Sequence, residues 1–206
     1  MTQQPLISCT NLHFSFGEEP ILRDLSFDIP RGQHTILKGE SGAGKTTLLK
    51  LFLGFEKPTR GTIRFFDDMD TPDIRSSSAW LPQDLDLGSG TVEELIRKPF
   101  TFRLNESNRP DREQCLSTFS QLGLADHTLG KSFQSLSTGQ RQRVGIALCH
   151  LLDKPLLLLD EPTSALDSLS KQRITNLLLA NTSKTVVSTS HDPFWLDHAD
   201  YTVSLD

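Results

Sequence analysis

The sequence lacks the features that mark membrane-spanning, secreted and nucleic-acid-binding proteins. No unbroken apolar run is longer than four residues, the length of 156–159, whereas a membrane-spanning helix needs about 20. The first residues, MTQQPLISCTN, lack the basic start and apolar core of a signal peptide. The net charge is −5 and no five like charges follow one another, so nothing indicates a nucleic-acid surface. Any membrane role is therefore expected to come through a partner.

Cysteine is scarce, and its spacing excludes two further classes. Cys9, Cys115 and Cys149 lie far apart without a CxxC pair, so neither a zinc site nor a disulfide framework is indicated. A reducing cytoplasm fits this usage best. With 206 residues, of which 36% are hydrophobic, the chain is nevertheless long enough to bury a substantial core.

The order of apolar segments predicts an α/β protein. Short β-rich pieces over 6–16, 21–29, 35–37 and 62–66 fill the first third, and an apolar helix is predicted over 46–55. After residue 136, helices over 140–152 and 168–180 alternate with strands over 156–160, 185–189 and 201–205. Such alternation implies a parallel sheet with helices on both faces.

The segment between residues 83 and 136 differs in character from the rest. It contains a predicted turn at LGSG, a helix over 92–97, a polar linker NESNRPD and a helix over 112–122. In the second helix Cys115, Leu116, Phe119 and Leu122 share one face. This pattern predicts a helical insert.

A glycine-rich loop lies between a predicted strand and a predicted helix. Residues 39–46, GESGAGKT, fit the pattern G-x-x-x-x-G-K-[ST], in which the glycines allow backbone N–H groups to surround phosphates. Lys45 is expected to reach the β- and γ-phosphates, and the Thr46 hydroxyl to enter a magnesium shell. The alternative is a glycine-rich turn before a core helix; the pattern arises by chance in a chain of this length with a probability on the order of 1%.

Two carboxylates follow the most apolar strand. Residues 156–159 are all leucine and are followed by Asp160 and Glu161, which predicts a strand buried on both faces whose carboxyl end meets a ligand. Asp160 is suited to hold magnesium, and Glu161 to polarise the attacking water. The alternative is a core strand followed by two solvated acids, which becomes less favoured beside a phosphate loop.

The remaining motifs resemble one family, the ATP-binding-cassette (ABC) ATPases. Residues 136–143, LSTGQRQR, resemble its signature, and 164–167, SALD, its D-loop. Gln83 in LPQ resembles the Q-loop glutamine, His191 in TSHD the switch histidine, and Phe16 the aromatic residue that stacks on adenine. Taken singly, these three could be an exposed polar residue, a strand-end histidine and core filling; their common order favours the family.

The resemblance implies a P-loop NTPase fold with a mostly parallel core sheet, an N-terminal antiparallel β subdomain and an inserted helical subdomain. We expect a single ABC ATPase domain over 1–206, with the core and β subdomain in 1–83 and 136–206 and the helical subdomain in about 84–135.

The resemblance also implies the site residues. Catalysis is expected from Glu161, His191 and Gln83, with Mg²⁺ held by Thr46, Gln83 and Asp160. The residues expected to bind ATP are Phe16, the loop residues Gly39, Glu40, Ser41, Gly42, Ala43, Gly44, Lys45, Thr46 and Thr47, and Ser137, Gly139 and Asp167.

In this family two cassettes face head to tail, and each signature completes the partner's site. We therefore expect a dimer in which Ser137 and Gly139 contact the γ-phosphate in trans. A homodimer is favoured because the chain carries both halves of the composite site, and a heterodimer with a similar second cassette is the alternative. The resemblance further implies a separate permease in the inner membrane, with this chain peripheral on its cytoplasmic face. One departure is Thr138, where the signature usually carries glycine; the β-branched side chain restricts the backbone beside the phosphate contact. We predict that hydrolysis survives it.

The sequence favours a transporter subunit over three other functions. Non-transport ABC ATPases that act on nucleic acid or ribosomes usually carry coiled-coil insertions, zinc cysteines or tandem cassettes, which this sequence lacks. A binding module without turnover is disfavoured by Glu161 and His191, and a small GTPase by the lack of an N-K-x-D segment. The substrate is not encoded in these motifs. Import and export both stay open. The chain stops just after its last predicted strand and is loosely similar to compact cassettes of metal or iron export, a resemblance that favours export as an expectation.

Overall fold

The computed structural model describes residues 4–66, 71–180 and 183–205. Of the single domain predicted over 1–206, residues 1–3, 67–70, 181–182 and 206 lie outside the described residues. The strands are β1 (Ile7–Phe16), β2 (Glu19–Ile29), β3 (His34–Lys38), β4 (Arg60–Phe65), β5 (Ser78–Leu81), β6 (Leu156–Asp160), β7 (Thr185–Thr189) and β8 (Tyr201–Ser204). The α-helices are α1 (Lys45–Phe52), α2 (Thr71–Ser77), α3 (Val92–Arg97), α4 (Arg112–Gln121), α5 (Thr138–Leu151), α6 (Ser168–Leu179) and α7 (Pro193–Leu196).

The strands form two sheets of opposite type. One is antiparallel, with the order β2-β1-β4. The other has the order β5-β6-β7-β3-β8, and all of its neighbouring strands run parallel. The predicted fold class is confirmed in both respects. Because parallel strands all end at one edge, the residues that follow β3, β6 and β7 meet at the carboxyl end of the sheet.

Strand β6 is buried on both faces, as its run of leucines predicts. Leu157 and Leu159 belong to one apolar cluster, which includes Val144 and Ile146 of α5 and Ile174 of α6. The alternate side chains of the strand enter a second cluster, between the parallel sheet, α1 and the antiparallel sheet; its members include Leu156, Leu158, Leu48, Leu49, Phe14 and Leu22. Helices therefore cover both faces, and the polar end of β6 is held in a fixed position.

Between residues 84 and 135 the described elements are helical. Helix α3 begins with a capping box in which the Thr91 hydroxyl accepts from the Glu94 amide, and α4 begins with one formed by Asp111 and Gln114. Both caps supply partners for first-turn amides. Cys115 and Phe119 on α4 and Leu122 just after it are buried, and Leu116 is partly buried; all four contribute to one apolar cluster. The boundaries of the predicted helical subdomain stay a prediction.

Several element boundaries differ from the sequence-based expectation. Helix α1 ends at Phe52 rather than at residue 55, because Gly54 adopts a positive φ of 63° that stops the helix. Helix α5 begins at Thr138 rather than 140, because the preceding Ser137 caps it. The elements α2, β5 and α7 were not predicted, since seven, four and four residues show too little periodicity. Within the described ranges, no helix is both long and apolar enough to span a membrane.

Candidate functional site

The glycine-rich loop curls between the end of β3 and the start of α1. Gly42 and Gly44 have φ angles of 88° and 89°, a region that suits glycine. A side chain at Gly44 would also begin 2.6 Å from Cδ2 of Leu22, so its size is limited as well. No side chain caps the first turn of α1, so its N–H groups are left for a ligand at the positive end of the helix. The loop is therefore built to bind an anion.

Lys45 lies inside this loop and is only 8% exposed. Its Nζ donates hydrogen bonds of 2.8 Å to the backbone carbonyls of Gly39 and Glu40. The buried ammonium thus has neutral partners, and an anion in the loop would be a stronger one.

Asp160, at the end of β6, joins the loop to the parallel sheet. The side chain is 2% exposed; its Oδ2 accepts a 2.7 Å hydrogen bond from the Thr46 hydroxyl, and its Oδ1 accepts one of 2.6 Å from the Thr189 hydroxyl. Carboxylate and hydroxyl oxygens are the protein ligands that Mg²⁺ prefers. Thr189 ends β7 and begins the quoted TSHD segment, but it was not predicted as a site residue because that motif pointed only to His191.

Glu161 follows Asp160 in an uncommon backbone conformation, with φ at 50°. Such conformations persist where surrounding contacts hold them, and they cluster at functional sites. Here the Glu161 amide donates to the Thr189 hydroxyl at 3.0 Å, and the buried Gln142 amide lies 3.4 Å from the Glu161 carbonyl and 3.3 Å from that of Pro162. Gln142 lies in the quoted signature-like segment, but the motif alone gave it no role.

The Glu161 carboxylate faces His191. Glu161 Oε1 and His191 Nε2 lie 3.7 Å apart, with side-chain exposures of 12% and 57%. Burial raises the pKa of the Glu161 carboxyl above its ordinary value, and Asp160 acts in the same direction; His191 and Lys45 oppose the shift. A buried carboxylate with a raised pKa is suited to accept a proton from water.

These groups line one cleft of about 500 Å³. The structure therefore brings together ten of the predicted site residues. They are Ser41, Gly42, Gly44, Lys45, Thr46, Thr47, Gln83, Asp160, Glu161 and His191. Ile21 and Ser164 also line the cleft; Ser164 belongs to the quoted SALD segment, whereas Ile21 carries no motif.

The other predicted residues do not line this cleft. Gly39 and Glu40 contribute carbonyls to Lys45, and Ala43 donates its amide to the Glu40 carbonyl at 3.1 Å. Phe16 is 50% exposed and packs edge-on against Phe14, with ring centroids 4.8 Å apart.

The signature-like segment forms the start of α5. Ser137 caps the helix reciprocally with Gln140 and is exposed to solvent. A side chain at Gly139 would begin 2.9 Å from the Ala165 carbonyl, so glycine permits close contact with the SALD segment. Asp167 in that segment caps α6 by accepting from the Ser170 amide at 2.7 Å. None of Ser137, Gly139 and Asp167 lines the cleft of its own chain.

Known proteins show the same organisation. A family model described as "ABC transporter" matches residues 22–164, more than half of the chain. The petrobactin import ATP-binding protein FpuD of Bacillus anthracis is 32% identical over 92% of this chain and 73% of its own length. The "Probable iron export ATP-binding protein FetA" of Escherichia coli K12 is 30% identical over 98% of this chain and 91% of its own length. The chain spans only 38% of a "Probable ABC transporter ATP-binding/permease protein" of Haemophilus influenzae, at 31% identity over 97% of this chain.

Solved structures agree with these relatives. A bacterial Atm1-family ABC exporter with ATP bound superposes with a TM-score of 0.85 at 26% identity, over 100% of this chain and 38% of the exporter chain. An ATP-binding subunit of an ABC transporter superposes with a TM-score of 0.83 at 25% identity, over 97% of this chain and 85% of its own chain. The chain therefore belongs to the ABC transporter family, as an ATP-binding ATPase domain.

Proposed function

We propose that the chain is the subunit of an ABC transporter that binds and hydrolyses Mg-ATP and thereby drives substrate movement by a separate membrane permease. The observation that carries the proposal is the 2.7 Å contact between the Thr46 hydroxyl and Asp160 Oδ2. It places the end of the phosphate loop against the buried acid of β6, beside Glu161. Phosphate binding, metal binding and water activation thus share one cleft.

Nucleotide binding would exchange the partners of Lys45. In the structure its ammonium is held by the Gly39 and Glu40 carbonyls at the loop. Triphosphate oxygens in the loop would replace these neutral acceptors with charged ones, which form shorter and stronger hydrogen bonds. Phe16, on the exposed end of β1, is proposed to stack on adenine.

The donor set fits Mg²⁺ because it consists of oxygen atoms. Thr46 and Asp160 already touch, and the Gln83 side chain lines the same cleft. Bound Mg²⁺ would neutralise charge on the β- and γ-phosphates. The Thr189 hydroxyl keeps Asp160 oriented from the opposite side, so the carboxylate does not need to reorganise.

Glu161 is proposed as the general base. Its positive φ and the hydrogen bonds of its backbone to Thr189 and Gln142 fix where the carboxylate points. The carboxylate would accept a proton from the water that attacks the γ-phosphorus. His191, which shares the cleft, is proposed to contact the γ-phosphate in the same chain.

We further propose that a second copy completes each site. Ser137 is exposed at the start of the 14-residue helix α5, and neither it nor Gly139 lines the cleft of its own chain. The amides at this helix terminus suit a phosphate supplied by a partner. Asp167, at the start of α6, is proposed to lie near the dimer axis.

The proposed permease partner is supported by the relatives. They include an ATP-binding protein for import, one for export, and a chain that combines an ATP-binding part with a permease part. Through such a permease the chain would sit on the cytoplasmic face of the inner membrane. Since the relatives include import and export proteins, the proposal assigns neither a substrate nor a direction.

The test is release of phosphate from ATP with Mg²⁺ and with EDTA, for the wild type, Thr46→Ala and Asp160→Asn. We expect Mg²⁺-dependent hydrolysis by the wild type and a loss of about 100-fold in both variants, as for other charge-stabilising groups. Thr202→Ala, an exposed threonine on β8, is the control. Unchanged activity in Asp160→Asn would contradict the metal role.

The transport partner is tested separately, by purification from detergent extracts. Recovery of a multi-span membrane protein with the chain supports the proposal. ATPase activity that rises with added RNA or DNA, without such a partner, would instead support action on nucleic acid.

A further inference from the structure

His34, the first residue of β3, is buried and bonded through both ring nitrogens. It is 3% exposed; Nδ1 lies 2.9 Å from the His198 carbonyl and Nε2 lies 2.8 Å from the Ser188 hydroxyl oxygen. Because a carbonyl only accepts, Nδ1 must carry the hydrogen. Nε2 of the neutral ring is then an acceptor, and the Ser188 hydroxyl donates to it. The partners thus define one tautomer.

The same Ser188 hydroxyl oxygen accepts a hydrogen bond from Trp195 Nε1 at 2.9 Å. Ser188 and Trp195 are fully buried, and the Trp195 and His34 rings meet edge-on with centroids 5.1 Å apart. Hydrogen bonds therefore run in one direction, from Trp195 through Ser188 to His34 and on to the His198 carbonyl. Every polar atom in this buried chain has a partner, which favours a single arrangement.

The chain of hydrogen bonds holds both ends of the segment that carries His191. This segment, residues 190–200, joins β7 to β8. Ser188 lies just before it, and His34 also accepts from the Asp200 amide at 2.9 Å and donates its own amide to Asp200 Oδ2 at 2.8 Å. Strand β3 leads into the phosphate loop. Through His34 it is hydrogen-bonded to Ser188 just before this segment and to His198 and Asp200 within it. This segment is called the turn below.

We propose that His34 is a positioning residue, which fixes His191 relative to the phosphate loop through Ser188, Trp195 and His198. The proposal rests on the proposed function, in which His191 acts at the γ-phosphate. His34 itself does not touch the cleft; it sets where the turn places His191. A small displacement of a group in a reaction site is costly, up to about 100-fold for about 1 Å.

If His34 positions the segment through its hydrogen bonds, activity should depend on the protonation of its ring. Packing of an apolar side chain would not produce such a pH dependence. A protonated Nε2 could no longer accept from Ser188, whose hydroxyl hydrogen would then lose its acceptor. Burial lowers the pKa of His34, and the His198 ring acts in the same direction; the His198 carbonyl and Asp200 oppose it. Lys184 lines the adjacent cavity of about 190 Å³. The neutral form is therefore the working form, and protonation of His34 would disrupt the network.

The kinetic test compares His34→Phe and His34→Gln with the wild type. Phe keeps the ring but removes both hydrogen bonds, so kcat is expected to fall about tenfold or more while the KM for ATP stays within about twofold. Gln restores an acceptor for Ser188, so it should recover most of kcat. Because glutamine does not titrate, His34→Gln should also remove any loss of activity at low pH that results from protonation of His34. His150→Gln, at a partly buried histidine on α5, is the control and should match the wild type.

A double-mutant comparison distinguishes positioning from general stability. If His34 acts through His191, His34→Phe should change kcat less than about twofold in a His191→Ala background, because the group it positions is gone. The same fall in kcat in both backgrounds, or a fall caused equally by His150→Gln, would overturn the proposal.

Histidine-ring NMR tests the network without relying on hydrolysis. The chain has six histidines, and the His191 signal is identified by its loss in His191→Ala. We expect His34 to show the Nδ1–H tautomer with a pKa below 6.5, and His34→Phe to shift the His191 signal. If the wild type does not hydrolyse ATP, the proposed function fails while this result still stands. An unshifted His191 signal would refute the positioning role.

Discussion

Glu161 Oε1 lies 3.7 Å from His191 Nε2, although the two residues are separated by thirty positions and lie after different strands. The parallel arrangement of β6 and β7 produces this pair, because both strands end at the same edge of the sheet. Glu161 is the more buried partner and His191 the more exposed one. The pair therefore combines a raised-pKa carboxylate with a ring that faces the open cleft.

Substitution Glu161→Gln should separate ATP binding from hydrolysis. The amide keeps the shape of the side chain but cannot accept a proton, so kcat is expected to fall about 100-fold or more. ATP affinity should remain within about threefold. Slow hydrolysis should also make the ATP-bound dimer persist, which size-exclusion chromatography with Mg-ATP would show. Glu113→Gln, an exposed residue of α4, is the control. Near-normal turnover would remove Glu161 from the role of base.

The same substitution should increase thermal stability at neutral pH. Burial raises the Glu161 pKa above the ordinary 4.5, so the folded state holds this proton more tightly than the unfolded state. The stability linked to that proton is complete below about 4.5 and is lost as pH rises through the folded pKa. Glu161→Gln removes this loss, with a gain in Tm of about 2–4 °C for each 1 kcal/mol relieved.

Thermal melts of Glu161→Gln and the wild type between pH 4 and pH 8 provide the measurement. The difference in Tm should be positive near pH 7.5 and shrink towards pH 4. A difference that does not vary with pH would show that the gain comes from something other than charge burial.

Lys45→Ala should weaken nucleotide binding strongly, whereas Lys50→Ala should not. Both lysines lie on α1, but Lys45 is buried in the loop and Lys50 is exposed in the last turn. Loss of one charged hydrogen-bonding group costs about 1.5–3 kcal/mol, or about 10- to 150-fold in the dissociation constant. Calorimetric titration with Mg-ATP measures it. Equal affinities of the two variants would contradict the assignment of the phosphate site.

The sequence predicted the parts of the site that depend on local pattern. A glycine-rich loop between a strand and a helix, and acids after a run of leucines, are properties of short segments, and the structure brings them into one cleft. Strand β6 was placed exactly over 156–160, because its all-apolar run admits burial on both faces. The assignment of the ABC family required the additional motifs.

Contacts between segments that are distant in the sequence could not be predicted from local patterns. Thr189 supports Asp160 across 29 positions, and Gln142 supports the Glu161 turn across 19. Both residues lie in quoted motifs, Gln142 in 136–143 and Thr189 in TSHD, but neither motif identifies them as supports. His34 is a similar case, since its role depends on Ser188, which lies 154 positions away. Such partners become visible only when strand order and register are known.

Thr138→Gly tests the one departure from the expected signature. Thr138 is exposed at the first position of α5, and the Ser137 cap and the close approach of Gly139 to Ala165 are both intact beside it. We therefore expect the wild type to hydrolyse ATP, and glycine to change kcat by no more than about threefold, or about 0.7 kcal/mol in activation free energy. Glycine should also lower Tm by about 1 °C, because it is about 0.3 kcal/mol less favourable than threonine in a helix. Phosphate release and thermal melts measure the two effects, with Thr202→Gly on β8 as the control for an exposed threonine. An inactive wild type that Thr138→Gly restores would show that the β-branched side chain blocks the contact with the partner's γ-phosphate.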